Sequence, residues 1–369
     1  MKVPMLDLTE QYQSLKGEIG VALEEVMSSA RFILGDNVKK LESDVAEFSH
    51  AAHSVGVANG SDALHISLLG CDVGEGDEVI CPAFTFFATA GAIARAGATP
   101  VFVDIDEKTF NIDPKKVEEA VTDKTKAIIP VHLYGQMADM DALKAIADKH
   151  NLAIIEDAAQ SIGSEYKGKK VGELGTTATY SFFPTKNLGA YGDAGMIITN
   201  NDEVAEKMRV IRVHGSKPKY YHHILGYNSR LDELQAAILN VKFPHLTDWN
   251  KQRIEKAERY TALLNERLGD TVTTPFVEEH NYHIFHQYTI RVPKRDELQA
   301  YLKEQGVATM IYYPKPLHLQ PVFSDLGYKE GDLPVTEKAC QEAISLPMFP
   351  ELKAEQQEYV VDMISKFFN

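Results

Sequence analysis

From residue 54 to residue 199 the chain alternates short β-like runs with helical stretches, and this alternation restricts its fold more than any other feature. The runs are 54–58, 78–81, 100–104, 127–133, 153–156, 177–183 and 195–199. Helical stretches lie between them at 61–69, 85–96, 114–121 and 140–150. Strands that alternate with helices are joined by crossovers, which makes neighbouring strands parallel and covers both faces of the sheet. The expectation is an α/β fold with a mostly parallel sheet flanked by helices. Ligands in such sheets collect at the carboxyl ends of the strands, so the residues directly after each run are the place to look for chemistry.

Two amphipathic helices precede the first run. Tyr12, Leu15, Ile19, Ala22 and Val26 recur at spacings of three and four, as do Val38, Leu41, Val45 and Phe48. Past about Ala237 the alternation breaks down. A long polar helical stretch at 248–267 leads to β-like runs near 286–292 and 308–312 and to a last helix at 354–368. A chain of 369 residues is long for one core. We read it as a large domain, 1–245, followed by a smaller C-terminal α+β domain, 246–369.

Three strand ends carry unusual residues. After 54–58 comes Asn59-Gly60-Ser61-Asp62-Ala63-Leu64. This glycine turn with small capping residues suits either a simple helix cap or a phosphate held by free N–H groups. After 153–156 comes Asp157-Ala158-Ala159-Gln160. An acid at the end of a buried strand is costly unless paired. It reads either as a helix N-cap or as a carboxylate facing a cationic ring nitrogen, with Gln160 placed to donate to a phenolic oxygen of that ring. The run 177–183 continues through Ser181-Phe182-Phe183-Pro184-Thr185-Lys186-Asn187-Leu188-Gly189. Most lysines are solvated. One set among aromatics, proline and glycines between two buried strands would have a lowered amine pKa and act as a nucleophile toward an aldehyde. Gly189, Gly192 and Gly195 would let the backbone approach a ligand closely. Phosphate turn, carboxylate and buried lysine, in that order on successive strand ends, together fit pyridoxal 5′-phosphate (PLP).

The order NGSDAL, PAFTFFATA, EDAAQSIGS, SFFPTKNLGAYGDAG and HG…GYNSRLDELQAAIL resembles the DegT/DnrJ/StrS family of PLP-dependent nucleotide-sugar aminotransferases, over roughly residues 4–350. The resemblance implies the PLP-dependent transferase fold type I of the aspartate aminotransferase superfamily. It also implies a homodimer with active sites shared across the interface. Lys186 would carry the cofactor as a Schiff base, Asp157 would pair with the pyridine nitrogen, Gln160 would hold the ring oxygen and Phe86 would stack on the ring. Gly60, Ser61 and Ser181 would bind the phosphate, joined by Asn228 of the partner subunit. Asp193-Ala194-Gly195 stands where the family often has Glu-Gly-Gly, a conservative departure. Family members in which histidine replaces the lysine are dehydratases, so Lys186 favours transamination. The implied reaction moves an amino group from L-glutamate to a nucleotide-linked keto-sugar by ping-pong kinetics, with Lys186 shuttling the proton.

His214, Tyr221, His222 and Arg230 lie in a basic, aromatic stretch of an acidic protein. We read it as a wall of the active site in preference to a solvated loop, with Arg230 or a histidine meeting an anionic group. Tyr312, Tyr313 and His318 in IYYPKPLHLQ, and the triplet His286-Gln287-Tyr288, resemble the family's sugar-facing segments. Together these look most like enzymes that aminate C3 of a UDP-2-acetamido-2-deoxy-3-oxo sugar such as the glucuronate, in bacterial surface-polysaccharide (O-antigen) biosynthesis. The alternative is amination at C4 of a UDP- or dTDP-4-keto-6-deoxy sugar.

Other classes fit less well. A nicotinamide oxidoreductase would need GxGxxG after the first strand and a P-loop NTPase would need GxxxxGK[ST]; neither hexapeptide nor octapeptide occurs. A cysteine desulfurase would need its cysteine in a flexible glycine-rich loop, whereas Cys340 has a helix-like context. A non-catalytic PLP-binding sensor or scaffold would be expected to lose Lys186 or Asp157. The net charge of −15 argues against nucleic acid and leaves any phosphate to local groups. Cys71, Cys81 and Cys340 are scattered, which fits reduced thiols in the cytoplasm and neither disulfides nor a metal site. No segment reaches the roughly 18 apolar residues of a membrane span, and no apolar signal core precedes Asp7, so a cytoplasmic location is expected.

Overall fold

The computed structural model describes all of residues 1–369. Its strands run β1 (His53–Val57), β2 (Glu78–Pro82), β3 (Thr99–Val103), β4 (Thr125–Ile128) and β5 (Ala153–Asp157), then a short ribbon of β6 (Glu165–Tyr166) and β7 (Lys169–Lys170), then β8 (Thr177–Ser181) and β9 (Gly195–Thr199). Seven of these form the central sheet in the order β1-β9-β8-β5-β4-β2-β3. Neighbours from β8 to β3 pair in parallel, while β9 is antiparallel to both β1 and β8. So β9 alone is reversed. The strands β2, β5 and β9 are buried almost throughout because helices cover both faces of the sheet.

One face packs on Val38, Leu41 and Val45 of the helix Asp36–Phe48, with Ile154, Met196, Ile198 and Leu239. The opposite face packs Val79, Ile129 and Ile155 against Leu64, Leu68 and Ile93. A separate core lies toward the C-terminus. The helix Leu246–Leu268 buries Ala257, Tyr260, Leu264 and Leu268 there, against Ile344, Val360 and Ile364. Val3 from the other end of the chain joins this second core. Its own small sheet pairs β11 (Tyr288–Arg291) with β12 (Ala343–Leu346), and β10 (Asn281–Tyr282) adds to the β6–β7 ribbon.

Two sequence expectations need correction. The run 127–133 stops early as a strand: β4 ends at Ile128, and Pro130 cannot donate to a ladder. The chain then turns through Leu133–Gly135, where Tyr134 takes a left-handed φ of 58°. The run 308–312 forms no strand. Only Met310 pairs with β12, through a single bridge to Ser345 on the edge of β12 away from β11.

The helix Asp36–Phe48 is capped by an acid distant in sequence, at the start of the helix Glu233–Lys242. Gly35 leads the helix Asp36–Phe48, and no side chain of its own caps that end. Instead the buried Glu233 carboxylate accepts from the N–H groups of Gly35 (2.9 Å), Asn37 (2.6 Å) and Val38 (3.3 Å). A negative group at a helix N-terminus satisfies otherwise unbonded donors and meets the positive end of the dipole. A side chain on Gly35 has no room, since its Cβ would lie 2.7 Å from the Glu233 carboxyl carbon. Glu233→Ala should therefore destabilise the protein by about 2 kcal/mol, read as a lower thermal midpoint, and Glu233→Gln should recover part of the loss.

Candidate active site

Because β1, β2, β5 and β8 point the same way, the segments that follow them meet along one edge of the sheet. Reversed β9 starts at that edge, between β1 and β8, so Gly195 sits beneath the turn that follows β1. A Cβ on Gly195 would lie 2.5 Å from the Asn59 carbonyl carbon, and one on Gly60 would lie 2.6 Å from the Ser181 Cβ. Asn59 caps the helix Gly60–Gly70 by accepting from the Asp62 N–H at 2.8 Å. The N–H groups of Gly60 and Ser61 stay open, next to the Ser181 hydroxyl. This is a cradle of phosphate size and polarity.

The glycines after Lys186 behave differently from expectation. Their close approaches are to the protein itself. Gly189 lies against the Pro184 carbonyl, Gly192 against the Gln235 amide and Gly195 against Asn59. They compact the lysine turn, which is pinned by Lys186 N–H to Phe183 O (2.8 Å) and Ala190 N–H to Phe182 O (2.8 Å).

Asp157 closes β5 and is buried. The Thr89 hydroxyl donates to its Oδ2 at 2.8 Å, and the Ala159 N–H reaches its Oδ1 at 3.3 Å. Burial raises its carboxyl pKa, and the Thr89 hydrogen bond, the Ala159 N–H and the charge of Lys186 offset part of the rise. Thr89 was not singled out from the sequence. Its only signal is the four-residue spacing from Thr85, whose hydroxyl lies 3.1 Å from its own. Lys186 keeps some exposed surface, yet protein encloses its amine and desolvation pulls the pKa down to about 8, partly countered by Asp157.

Gln160 is oriented from behind. Its Oε1 accepts from the Tyr134 N–H at 2.7 Å, so its Nε2 faces outward, 3.2 Å from the Tyr313 hydroxyl. Phe86 is largely exposed, with its ring 6.4 Å from that of Tyr313. The Tyr134 hydroxyl donates to the Tyr312 carbonyl. A cleft of about 490 Å³ opens beside the lysine turn, between Leu6 and Leu8 on one side and Thr185, Gln287, Tyr312 and Met348 on the other.

The remaining predicted residues divide. His214, Tyr221, His222 and Asn228 lie on a projecting loop closed by the bridges Val213–Asn228 and Ser216–His222, with Arg230 just beyond it. The loop is exposed, to the point that Leu225 keeps 95% of its surface and Tyr221 65%. It leans on the helix Asp202–Ile211, and no hydrogen bond or ion pair joins it to Lys186, Asp157 or Gln160 of the same chain. The following Ser229 is buried, and its hydroxyl accepts from the Ala58 N–H at 3.2 Å, beside the phosphate-sized turn. His318 does not face a ligand. Its side chain is fully buried, with Nε2 3.2 Å from Glu337 Oε1. Tyr288, read as part of a sugar-facing triplet, is likewise buried in the second core against Tyr260.

An enclosed amine of lowered pKa, facing a buried carboxylate across from an open helix N-terminus, is built to capture a carbonyl and to move protons on the product. Set in an α/β frame of fold type I, that chemistry is the work of PLP-dependent aminotransferases, and PLP is the cofactor. The chain belongs to the DegT/DnrJ/EryC1/StrS aminotransferase family, whose sequence model matches residues 13–365. It is 72% identical to a pleiotropic regulatory protein of Geobacillus stearothermophilus over 368 residues, 100% of this chain and 99% of the relative. It is 46% identical to the UDP-2-acetamido-2-deoxy-3-oxo-D-glucuronate aminotransferase of Pseudomonas aeruginosa, over 95% of this chain and 96% of that one. The crystal structure of DesV from S. venezuelae, solved with a ketimine intermediate, superposes with a TM-score of 0.96 at 40% identity, covering 99% of this chain and 98% of DesV. The fold and sugar-aminotransferase class expected from the sequence are thus borne out.

Two outcomes test this geometry. Gly60→Ala should push the turn off Ser181 and weaken PLP binding by about tenfold or more, measured by titrating cofactor into the stripped protein. The second concerns pH. The Lys186 amine titrates near 8 in the folded protein and near 10.5 when free. Between those values the unfolded chain holds the extra proton, so folding stability rises with pH across that window, and the burial cost is fully felt below pH 8. Cofactor-free Lys186→Met should be more stable than the parent at pH 7, with the gap narrowing toward pH 10 in chemical unfolding. A gap independent of pH would refute the lowered pKa.

Proposed function

We propose that this protein moves an amino group from L-glutamate to the C3 ketone of a UDP-2-acetamido-2-deoxy-3-oxo sugar, with the glucuronate as first candidate, for bacterial surface-polysaccharide synthesis. The observation that carries this reading is the full-length similarity to the Pseudomonas glucuronate aminotransferase together with the lysine, carboxylate and phosphate turn on one sheet edge. Position C3 draws support from further relatives. The names of sugar transaminases from Acidithiobacillus ferrooxidans, Streptomyces venezuelae and Aneurinibacillus thermoaerophilus all put the new amine at C3, on UDP in the first and dTDP in the other two. A regulatory reading, a PLP-binding sensor, draws on the names of the Geobacillus relative and of the EryC1 sensory transduction protein of Saccharopolyspora erythraea. The presence of every reacting group speaks for catalysis.

When bound, PLP supplies the electron sink and the carrier for the amino group. The Gly60 and Ser61 N–H groups and the Ser181 hydroxyl would hold its phosphate. Asp157 would keep a proton on the ring nitrogen, since a cation facing the buried carboxylate stabilises its ionised form. Gln160, held from behind by Tyr134, would donate Nε2 to the ring oxygen, and Phe86 would cover one ring face. With a pKa near 8, the Lys186 amine is in part neutral at neutral pH; it would take the proton from the α-carbon of glutamate and deliver it to the cofactor's aldehyde carbon, two bonds away across the nitrogen. Tyr312 borders the cleft beside it, and the Tyr313 hydroxyl meets Gln160 Nε2. In a homodimer the projecting loop would carry His214, Tyr221, His222 and Arg230 to the other protomer's sugar, and Asn228 to its phosphate. Residues 1–245 would hold the cofactor and 246–369 would close over it, in the cytoplasm.

The test is direct. Protein loaded with PLP should absorb visible light and lose that absorbance on addition of L-glutamate. The aminated form should then convert the UDP-3-oxo sugar but leave a dTDP-4-keto-6-deoxy sugar unchanged. Turnover of the 4-keto sugar alone would move the assignment to C4, and turnover of neither would favour the sensor. Lys186→Ala should bind PLP without a covalent bond and lose turnover by about 10³-fold or more.

A further inference from the structure

Behind Lys186 the buried polar groups form a single line. Asn187, the next residue in the chain, presents Oδ1 to His286 Nδ1 at 2.9 Å and Nδ2 to Asn250 Oδ1 at 2.7 Å. Asn250 Nδ2 lies 3.0 Å from the Ile162 carbonyl, and Gln287 Nε2 lies 3.4 Å from His286 Nε2. Asn187, Asn250 and His286 are all buried.

The direction of every bond follows from the one end that cannot be reversed. A carbonyl oxygen only accepts, so Asn250 donates to Ile162 with Nδ2 and turns Oδ1 toward Asn187. Asn187 then donates with Nδ2 and shows Oδ1 to His286. His286 must carry its proton on Nδ1, which leaves Nε2 to accept from Gln287. All four bonds run one way and polarise one another. An imidazole held like this is neutral, and burial near Lys186 and Arg253 pulls its pKa well below the usual value.

The line joins parts of the chain that are far apart in sequence: the lysine turn, the segment just after Asp157 and Gln160, and the C-terminal core. The helix Leu246–Leu268 supplies Asn250 and, one turn on, the buried Arg253. Arg253 Nη1 donates to the carbonyls of Phe285 (3.4 Å), His286 (3.3 Å) and Met348 (3.0 Å). One helix face therefore grips both the lysine turn and the backbone of His286. Gly163 makes the space, since a Cβ there would come within 2.8 Å of Asn250 Nδ2.

We propose that His286 is a positioning residue for Lys186: by donating to Asn187 it fastens the lysine-bearing turn to the C-terminal core and to the segment after Asp157. The amine then keeps one place through both proton transfers. The kinetic consequence rests on the transaminase reading; the structural one does not.

The experiment compares the full-length protein with His286→Leu, which removes the donor, and His286→Asn, whose amide nitrogen falls where Nδ1 does. Hydrogen exchange over residues 184–190, with PLP bound and with PLP removed, is expected to be about tenfold faster in His286→Leu. It should return to the parent rate in His286→Asn, with the central sheet unchanged in both. The saturating rate of the glutamate half-reaction is expected to fall about tenfold in His286→Leu with half-saturation and PLP content little changed, and to recover in His286→Asn. Unchanged exchange in His286→Leu, or a His286→Asn as defective as His286→Leu, overturns the proposal. Should His286→Leu fail to fold, Asn250→Leu breaks the same line one bond further along and answers through the same exchange readout. A parent protein inert toward glutamate would refute the transaminase reading and leave the exchange comparison to judge His286.

Discussion

A carboxylate at the end of a buried strand is costly to leave short of partners, and Asp157 is left short. Its neighbour Glu156 makes the contrast. Glu156 points to the other face of β5, where His132 Nε2 lies 2.8 Å away and the N–H groups of Gly172 and Gly175 donate at 3.2 Å and 2.8 Å. That acid is satisfied by the protein alone. Asp157 has a hydroxyl and one long N–H bond, and burial raises its pKa. Two adjacent acids on one strand are thus treated oppositely. The unfinished one is the one that a cationic ring would complete, and Phe86, Lys186 and the Gly60 turn stand on the same edge of the sheet.

The reversed strand β9 makes that arrangement compact. Because β8 is followed by an antiparallel neighbour, no crossover helix carries the chain away, and the whole connection with Lys186 stays at the carboxyl edge. The same reversal puts Gly195 beneath Asn59, so the phosphate turn rests on the start of β9. Lys186 and the Gly60 turn are held at a fixed separation by one hairpin. A second layer, from Asn187 through Asn250 to Ile162, ties this hairpin to the C-terminal core.

Much of this was legible in the sequence, for physical reasons. Buried parallel strands need apolar runs, so six of the seven sheet strands were found within a residue or two, and Asp157 and Lys186 stood out because charges at such positions are rare. What escaped notice depends on side-chain direction or on distant contacts. Thr89 looks like any residue in a helix until the fold turns it toward Asp157. Asn187 and Asn250 share no periodicity and meet His286, expected from the sequence to face the sugar, only through the tertiary structure. His318 was misread because the turn Leu317–Leu319 points its ring inward, to Glu337. The glycines after Lys186 were correctly marked as close approaches, but what approaches is protein.

The pairing of β1 with β9 also sets a schedule. Val57 lies beside Gly195, and the helix after Gly35 waits for Glu233. On the ribosome the first strand of the sheet emerges long before its neighbour, so the Gly60 turn has nothing to rest on until the chain past residue 199 is out. Contacts between residues this distant in sequence form slowly. A vitamin-derived cofactor held at this turn would therefore meet a finished pocket only once synthesis is well past the halfway point, and a nascent chain would have no early grip on it.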